Sequence, residues 1–511
     1  MRLPLRNTII LIVFILLKFI LQFNLIDPVY ELHRDEFLYL DQANHLAAGY
    51  ASVPPLISCI SFIIKLLGNS IFWVKFFPAL FGALTMLVVW KAIEALRGDL
   101  FALILGATCV LFSLLLRLNT LYQPNSFDVL CWTTIYYIII MLVSTRKAKW
   151  FYIGAVVFAL GFLNKYNIVF LIAGILPAML LTAQRKLLMN KHSWFAVALG
   201  IVLILPNLIW QYQNDFPVLT HMKELADTQL VNVSRSDFLK SQLLFFPGAL
   251  LVIISGLIAL LRYKPFAPYR LFFWSLIFTL LLFTLGRAKD YYAFGIWPIY
   301  IAFGAVWLSV FTKTGWKRYL KPVLILIPLL IFIPIYNIAF PNKSPEYIIE
   351  HNERYAARGM LRWEDGKEHP LPQDFADMLG WKELARKVDS LSATIPDPEK
   401  TLILCDNYGQ AGAINFYSVR GLKAVSFNAD YINWIDVKQP YTNLIRIKNR
   451  SSQDEEMQET SPYFERAFVA DSIMNIHARE YGTMIFVFMD AKIDINERIT
   501  AEIETMKSGR R

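Results

Sequence analysis

The sequence predicts a polytopic α-helical membrane protein of about eleven transmembrane helices, followed by a C-terminal soluble α/β domain. Three observations carry this. Of 511 residues 56% are hydrophobic and only 18% charged, with a positive mean hydropathy. Apolar runs of membrane-crossing length recur as far as about residue 340. Beyond that point charges are dispersed and the apolar residues fall into short period-two runs.

The first span, residues 8–26, follows Arg2 and Arg6, and the one charge that interrupts it is Lys18. It is longer than a signal-peptide core and lacks a clear small-x-small cleavage site, so it is expected to stay attached as a signal anchor. Taking roughly 20 apolar residues per crossing, further spans fall at 71–90, 100–117, 125–143, 150–163, 168–183, 194–210, 241–261, 271–285, 292–310 and 322–339. The short fifth span, 150–163, is retained because loop charge then alternates regularly. Arg2/Arg6, Lys91/Arg97, Arg146/Lys147/Lys149, Arg185/Lys186/Lys191, Arg262/Lys264/Arg270 and Lys313/Lys317/Arg318/Lys321 form the basic set expected to face the cytoplasm. The segments 27–54, 118–124, 164–167, 211–240 and 286–291 hold most of the acids and are placed outside. The N-terminus is then cytoplasmic. The domain plan is a membrane module over 1–340, with its first outer loop at 27–70, and an extracytoplasmic α/β domain over 341–511.

Within the first outer loop two helices are too short to cross: Phe37–Ala48, stopped by Gly49, and Leu56–Leu67, opened by Pro54-Pro55 and stopped by Gly68. Phe37, Leu40, Ala43 and Ala47 share a face, so the pair is expected to lie along the outer membrane surface. In the tail, Thr401–Cys405 and Thr483–Met489 read as buried strands, alternating with helices at Trp381–Leu391 and Gln410–Tyr417. The cysteines Cys59, Cys109, Cys131 and Cys405 lie far apart with no CxxC spacing, which points to neither a disulfide framework nor a zinc site. The excess of Lys and Arg, 50 against 40 acids, is accounted for by the basic loops, so nucleic acid is not expected as a partner.

The chemistry is expected where charge meets the outer membrane boundary. In Glu31-Leu-His-Arg-Asp-Glu36 a partly desolvated Asp35 or Glu36 has the properties of a general base; the alternative is that Asp35 caps the helix that follows. Asp128, in Gln123-Pro-Asn-Ser-Phe-Asp128, either shares a site with Asp35 or favours the positive end of its own helix. Arg117, Lys165, Arg287 and Lys289 sit at outer helix ends, where each either snorkels or meets a lipid-linked phosphate. Arg287-Ala-Lys289-Asp-Tyr291-Tyr292 concentrates two cations and two amphipathic rings and is the strongest phosphate candidate. No cofactor is called for. A divalent cation near His33, His45, Asp35 and Asp41 stays open, although their spacing fits no metal motif. Asp406-Asn-Tyr-Gly-Gln-Ala-Gly412 is either a phosphate-binding turn or, more simply, a tight structural one.

Taken in order, Arg34-Asp35-Glu36, His45-Leu-Ala-Ala-Gly-Tyr50 running to Pro54-Pro55-Leu56, Pro124-Asn-Ser-Phe-Asp128, Lys165-Tyr166 and the Lys289/Tyr291-Tyr292 loop resemble the GT-C glycosyltransferases of family 39. These include protein O-mannosyltransferases and the bacterial aminoarabinose transferases that modify lipid A. The resemblance covers roughly residues 1–340. It implies a GT-C fold in a bacterial inner membrane with a periplasmic tail, and a sugar donor carried on polyprenyl (undecaprenyl) phosphate. The acceptor it implies is a lipid, glycan or protein. Asp35 would be the essential first-loop acid and Asp128 a second acid facing the same cavity, with Lys165 and Lys289 near the carrier phosphate. A single inverting displacement follows: the acceptor attacks the anomeric carbon and polyprenyl phosphate leaves.

The alternative from another class is a polytopic lipid-linked-sugar transporter or flippase with ion-coupling acids. Against it, the acids gather at the outer mouth, the span count is odd, and no pair of broken helices occupies corresponding halves. A purely structural membrane subunit would leave Asp35-Glu36 and the 287–292 loop without purpose.

Overall fold

In the computed structural model, residues 5–228, 230–449 and 453–509 are described; Arg2 lies outside them. The chain forms two compact units: Met1–Leu25, Val53–Ile57 and Phe72–Asn342 make one, and Ile26–Ser52, Ser58–Ile71 and Lys343–Arg511 make the other.

The first unit is helical, and a helix stands at each segment predicted to span. Among the described residues, five helices are apolar and long enough to cross: Leu5–Phe23, Ile71–Ala95, Pro124–Thr145, Lys191–Gln213 and Gly315–Tyr336. The chain is a multi-pass membrane protein. Two segments predicted as straight spans are bent pairs instead, Arg235–Leu244 with Pro247–Arg262 at 72° and Asp290–Ile296 with Pro298–Phe311 at 45°; counting each as one span gives up to seven crossings by length and composition. Each break falls at a proline that removes a backbone donor, Pro247 and Pro298. The span predicted over 100–117 stops at Leu111, and shorter apolar helices occupy Lys149–Asn164, Ile168–Leu180 and Leu271–Leu285.

Local sequence accounts for how these helices face and pack. On Leu5–Phe23 the exposed Ile9, Ile12, Val13, Leu16 and Ile20 form one stripe at helical spacing, as a lipid-facing surface requires, while Leu11, Lys18 and Gln22 turn inward. Buried Lys18 donates to Gln22 Oε1 at 3.1 Å, and Gln22 Nε2 donates to the Leu116 carbonyl at 3.1 Å, so the inward amide joins the ammonium to the backbone of another helix. Pro247–Arg262 and Pro298–Phe311 cross at Gly256 and Gly304: a Cβ on Gly304 would fall on the Val252 carbonyl oxygen, and one on Gly256 would lie 2.7 Å from Gly304 N. Only glycine permits that approach.

The second unit is built on a five-stranded sheet of order β2-β1-β3-β5-β4. Here β1 is Thr401–Cys405, β2 Ala424–Ser426, β3 Asn443–Lys448, β4 Phe464–Ser472 and β5 Met484–Ala491. The β2-β1-β3 part is parallel and β3-β5-β4 antiparallel. The predicted strands are β1 and β5; β2 is only three residues long, Arg446 interrupts the apolar residues of buried β3, and β4 is for the most part exposed or half-buried.

The first-loop helix begins earlier than predicted, at Arg34, and ends at Asp41, continued only by a 3₁₀ turn over Gln42–Asn44. It does not reach Ala48. Its apolar face packs on protein of its own unit and not as a bare interfacial stripe. The Phe37 ring meets Trp381, Phe416 and Tyr417 at 5.7, 6.1 and 5.7 Å, and a Cβ on Gly412 would lie 2.6 Å from Phe37 Cβ. Gly409 and Gly412, one turn apart on the Tyr408–Tyr417 helix, therefore mark a close helix crossing. Asn407 caps that helix, its Oδ1 accepting from Gly409 N at 2.9 Å and Gln410 N at 3.1 Å, so this turn is structural and its first amides are already taken.

Candidate active site

In the first unit, a polar cluster forms where the 164–167 loop meets the start of Pro124–Thr145 and the 286–292 segment. Lys165 follows the last turn of Lys149–Asn164, and its Nζ donates to Asn125 Oδ1 at 2.8 Å. The same ammonium lies 4.3 Å from the Tyr292 ring centroid and 5.2 Å from that of Tyr291, and the two rings meet edge-to-face at 5.0 Å. A cation over two aromatic faces is held electrostatically while keeping its other protons available. Burial lowers the Lys165 pKa to about 8; Asp128 opposes the shift and Lys289 adds to it, so the two lysines lie within electrostatic reach of each other.

Asp128 is buried one turn into its helix. Asn167 Nδ2 donates to Asp128 Oδ2 at 3.0 Å and to the Tyr292 carbonyl at 2.8 Å, so one amide ties the carboxylate to the tyrosine segment. Asp128 Oδ1 is buried without a hydrogen-bond partner among the described residues. Arg287 diverges from this cluster. It occupies the left-handed position after the Leu271–Leu285 helix, φ 50°, and its Nη1 donates to the Val231 carbonyl at 3.4 Å. Of the predicted phosphate ligands, the structure thus brings together Lys165, Tyr291 and Tyr292, with Lys289 nearby, while Arg287 turns to another loop.

In the second unit, the residue that caps the Arg34–Asp41 helix is His33, not Asp35. His33 Nδ1 accepts from Asp35 N at 3.2 Å, and Glu36 Oε2 accepts from His33 N at 2.7 Å, which completes a capping box. Glu36 is fully buried in that role. Asp35 keeps 32% of its side chain exposed and accepts a 2.6 Å hydrogen bond from the Tyr408 hydroxyl. His33 Nε2 lies 3.7 Å from buried Asp377, which Arg479 Nη1 contacts at 3.0 and 3.2 Å. Burial lifts the Asp377 pKa above the usual carboxylate range against the pull of His33 and Arg479. His45 stacks on Trp434 at 4.3 Å, and among the described residues no three His, Cys, Asp or Glu side chains converge on a cation position.

Asn167 and Tyr408 were not singled out from the sequence. The signal for Asn167 was the polar quartet Asn164-Lys165-Tyr166-Asn167 between two apolar helices, where amides are costly unless they bond. Tyr408 stood inside the 406–412 turn weighed as a phosphate-binding one, but nothing in the sequence linked it to Asp35, because that partner lies 373 residues away.

A solved structure, ArnT from Cupriavidus metallidurans bound to undecaprenyl phosphate, superposes with a TM-score of 0.63 over 93% of this chain and 97% of its own, at 14% sequence identity. The chain has the GT-C fold. A second GT-C structure, the oligosaccharyltransferase AglB from Archaeoglobus fulgidus with an inhibitory peptide and a dolichol-phosphate, superposes at 0.50 over 90% of this chain and 71% of its own, at 11% identity. Residues 52–210 match the family described as dolichyl-phosphate-mannose-protein mannosyltransferase, a stretch holding Asp128, Lys165 and Asn167. The lipid A galacturonosyltransferase RgtD of Rhizobium johnstonii is 28% identical over 199 residues, 38% of this chain; the match spans 41% of that relative's length.

Proposed function

We propose that this chain is an integral-membrane glycosyltransferase that moves a sugar from a polyprenyl phosphate carrier to a lipid, glycan or protein acceptor by inverting displacement. The observation that carries this reading is the Lys165 ammonium, anchored by Asn125 over the Tyr291 and Tyr292 rings and within electrostatic reach of Lys289. Two cations with amphipathic rings suit a phosphate whose lipid tail stays in the bilayer. The relatives support it: one solved structure holds undecaprenyl phosphate, another a dolichol-phosphate, and RgtD acts on lipid A.

In this reading the acceptor hydroxyl or amine attacks the anomeric carbon and its proton passes to Asp35. The bond from that carbon to the phosphate oxygen breaks, and polyprenyl phosphate departs with the electron pair. Lys165 and Lys289 stabilise the charge that develops on the leaving phosphate, which counts most where water is excluded. Asp128, held through Asn167 to the Tyr292 backbone, keeps the tyrosine segment in place beside Lys165. Glu36 serves as the cap that orients the Asp35 backbone. The alternation of basic loops supports a cytoplasmic N-terminus and an extracytoplasmic tail with about eleven crossings, and the family resemblance adds that the membrane is a bacterial inner one and the tail periplasmic. The transporter alternative gains nothing from relatives that are transferases.

The test is transfer in liposomes from radiolabelled polyprenyl-phosphate sugars (galacturonic acid, mannose, aminoarabinose) to lipid A or to a membrane extract. Wild type is expected to transfer label, and Asp35→Asn to lose at least about a hundredfold in rate, the scale of general-base catalysis. Movement of intact donor across the bilayer without transfer would instead make the transporter the correct reading.

A further inference from the structure

The C-terminal segment of the chain supplies the side chain that Asp35 leans on. Tyr408 is the first residue of its helix, and its hydroxyl donates to Asp35 Oδ1 at 2.6 Å. The Arg34 guanidinium lies over the Tyr408 ring at 4.7 Å, so adjacent residues of one segment hold the tyrosine at its ring face and at its hydroxyl. The tyrosine is fixed in turn by the cap beneath it. Asn407 Nδ2 donates to Glu480 Oε1 at 3.2 Å, and buried Glu480 also accepts from Gln410 at 2.7 Å and Thr483 at 3.1 Å. The backbone of the Asp35 segment is anchored to the same region: Arg34 N donates to the Asp377 carbonyl at 3.2 Å, Glu31 N to the Met378 carbonyl at 2.8 Å, and Glu31 Oε2 accepts from Trp381 N at 2.7 Å.

We propose that Tyr408 is a positioning residue for the reaction: its hydroxyl holds the Asp35 carboxylate, still a third exposed, in one orientation, which makes the C-terminal domain part of the catalytic apparatus. This rests on the assignment of Asp35 as the base. Burial and Asp35 itself push the Tyr408 pKa well above its ordinary value, so the phenol remains a donor. The titratable and charged groups described around Asp35 and its two neighbours include His33, Arg34 and Tyr39 on its own segment and Asp377, Tyr408 and Glu480 from the C-terminal segment.

The experiment compares full-length wild type with Tyr408→Phe, Asp35→Asn and, as a control, Tyr417→Phe, which removes a hydroxyl that accepts from Leu32 N at 3.3 Å in the same unit. Two quantities are read: steady-state transfer, split into kcat and donor KM, and the rate of carbodiimide labelling at Asp35 at one fixed pH by peptide mass spectrometry, which requires no substrate. Tyr408→Phe is expected to lower kcat about tenfold with donor KM within about twofold, and to raise the labelling rate at Asp35 about threefold or more as its carboxylate loses the hydroxyl that holds it. Tyr417→Phe moves neither. A labelling rate unchanged in Tyr408→Phe, or a kcat within about twofold of wild type, overturns the proposal and leaves Tyr408 a packing residue. Wild-type transfer by Asp35→Asn removes the base assignment itself, an outcome distinct from an inactive Asp35→Asn beside a normal Tyr408→Phe.

Discussion

At the residue scale, the decisive groups are polar side chains that cannot be left unpaired at a membrane boundary. Lys165 illustrates the balance. Burial lowers its pKa to about 8, and a lysine serves a phosphate only when protonated, so free enzyme holds the charge below that pH and loses it above. Donor binding by the free protein is therefore expected to weaken as pH rises through about 8, read as KM for a polyprenyl-phosphate sugar across pH 7–9. A Lys165→Arg variant, charged throughout, is expected to lose that dependence. Asn167 joins Asp128 to the Tyr292 carbonyl through two donated bonds, and an isosteric Asn167→Leu leaves a buried carboxylate oxygen and a carbonyl without that donor. A stability loss of roughly 2–4 kcal/mol is expected, measured as a lower Tm in detergent; Asn167→Asp, which retains the shape but sets a second acid against the first, should be no better.

At the element scale, glycines decide which helices can touch. Gly412 lets the Tyr408–Tyr417 helix approach Phe37, and a side chain there would also meet the Tyr431 hydroxyl at 2.6 Å. Gly412→Val is expected to cost about 1–3 kcal/mol and, because the Arg34–Asp41 helix would be pushed off its seat, to reduce transfer as well; differential scanning and activity on the same preparation check both. Gly304→Leu, at the crossing with Pro247–Arg262, is expected to abolish a monodisperse detergent-solubilised species, because the obstacle is the Val252 backbone and has no rotamer to yield.

At the scale of the whole molecule, the prediction concerns topology. In a Cys59→Ser background, which removes the exposed native thiol and leaves the buried Cys109, Cys131 and Cys405, single cysteines at Lys147 and Lys317 are expected to react with a membrane-impermeant maleimide only from the cytoplasmic side. Cysteines at Lys382 and Lys507 are expected to react from the periplasmic side. Labelling of Lys382→Cys and Lys147→Cys from one side would overturn the proposed orientation.

Hydropathy and loop charge were enough to place every apolar segment that became a helix, because the cost of exposing backbone polar groups to lipid is local to each span. They did not show the bends at Pro247 and Pro298 as breaks, nor that the third span ends at Leu111. Short motifs likewise singled out Asp35, Asp128, Lys165 and the tyrosine pair as candidates, since charged and ring-bearing residues stand out against apolar surroundings. Which partners they take was decided by tertiary structure alone. Arg287 faces a different loop from Lys165, Glu36 is consumed by the His33 cap, and Asp35 meets a tyrosine 373 residues away. Composition and periodicity record what a residue needs from its surroundings, whereas the group that meets the need is set by how distant helices pack.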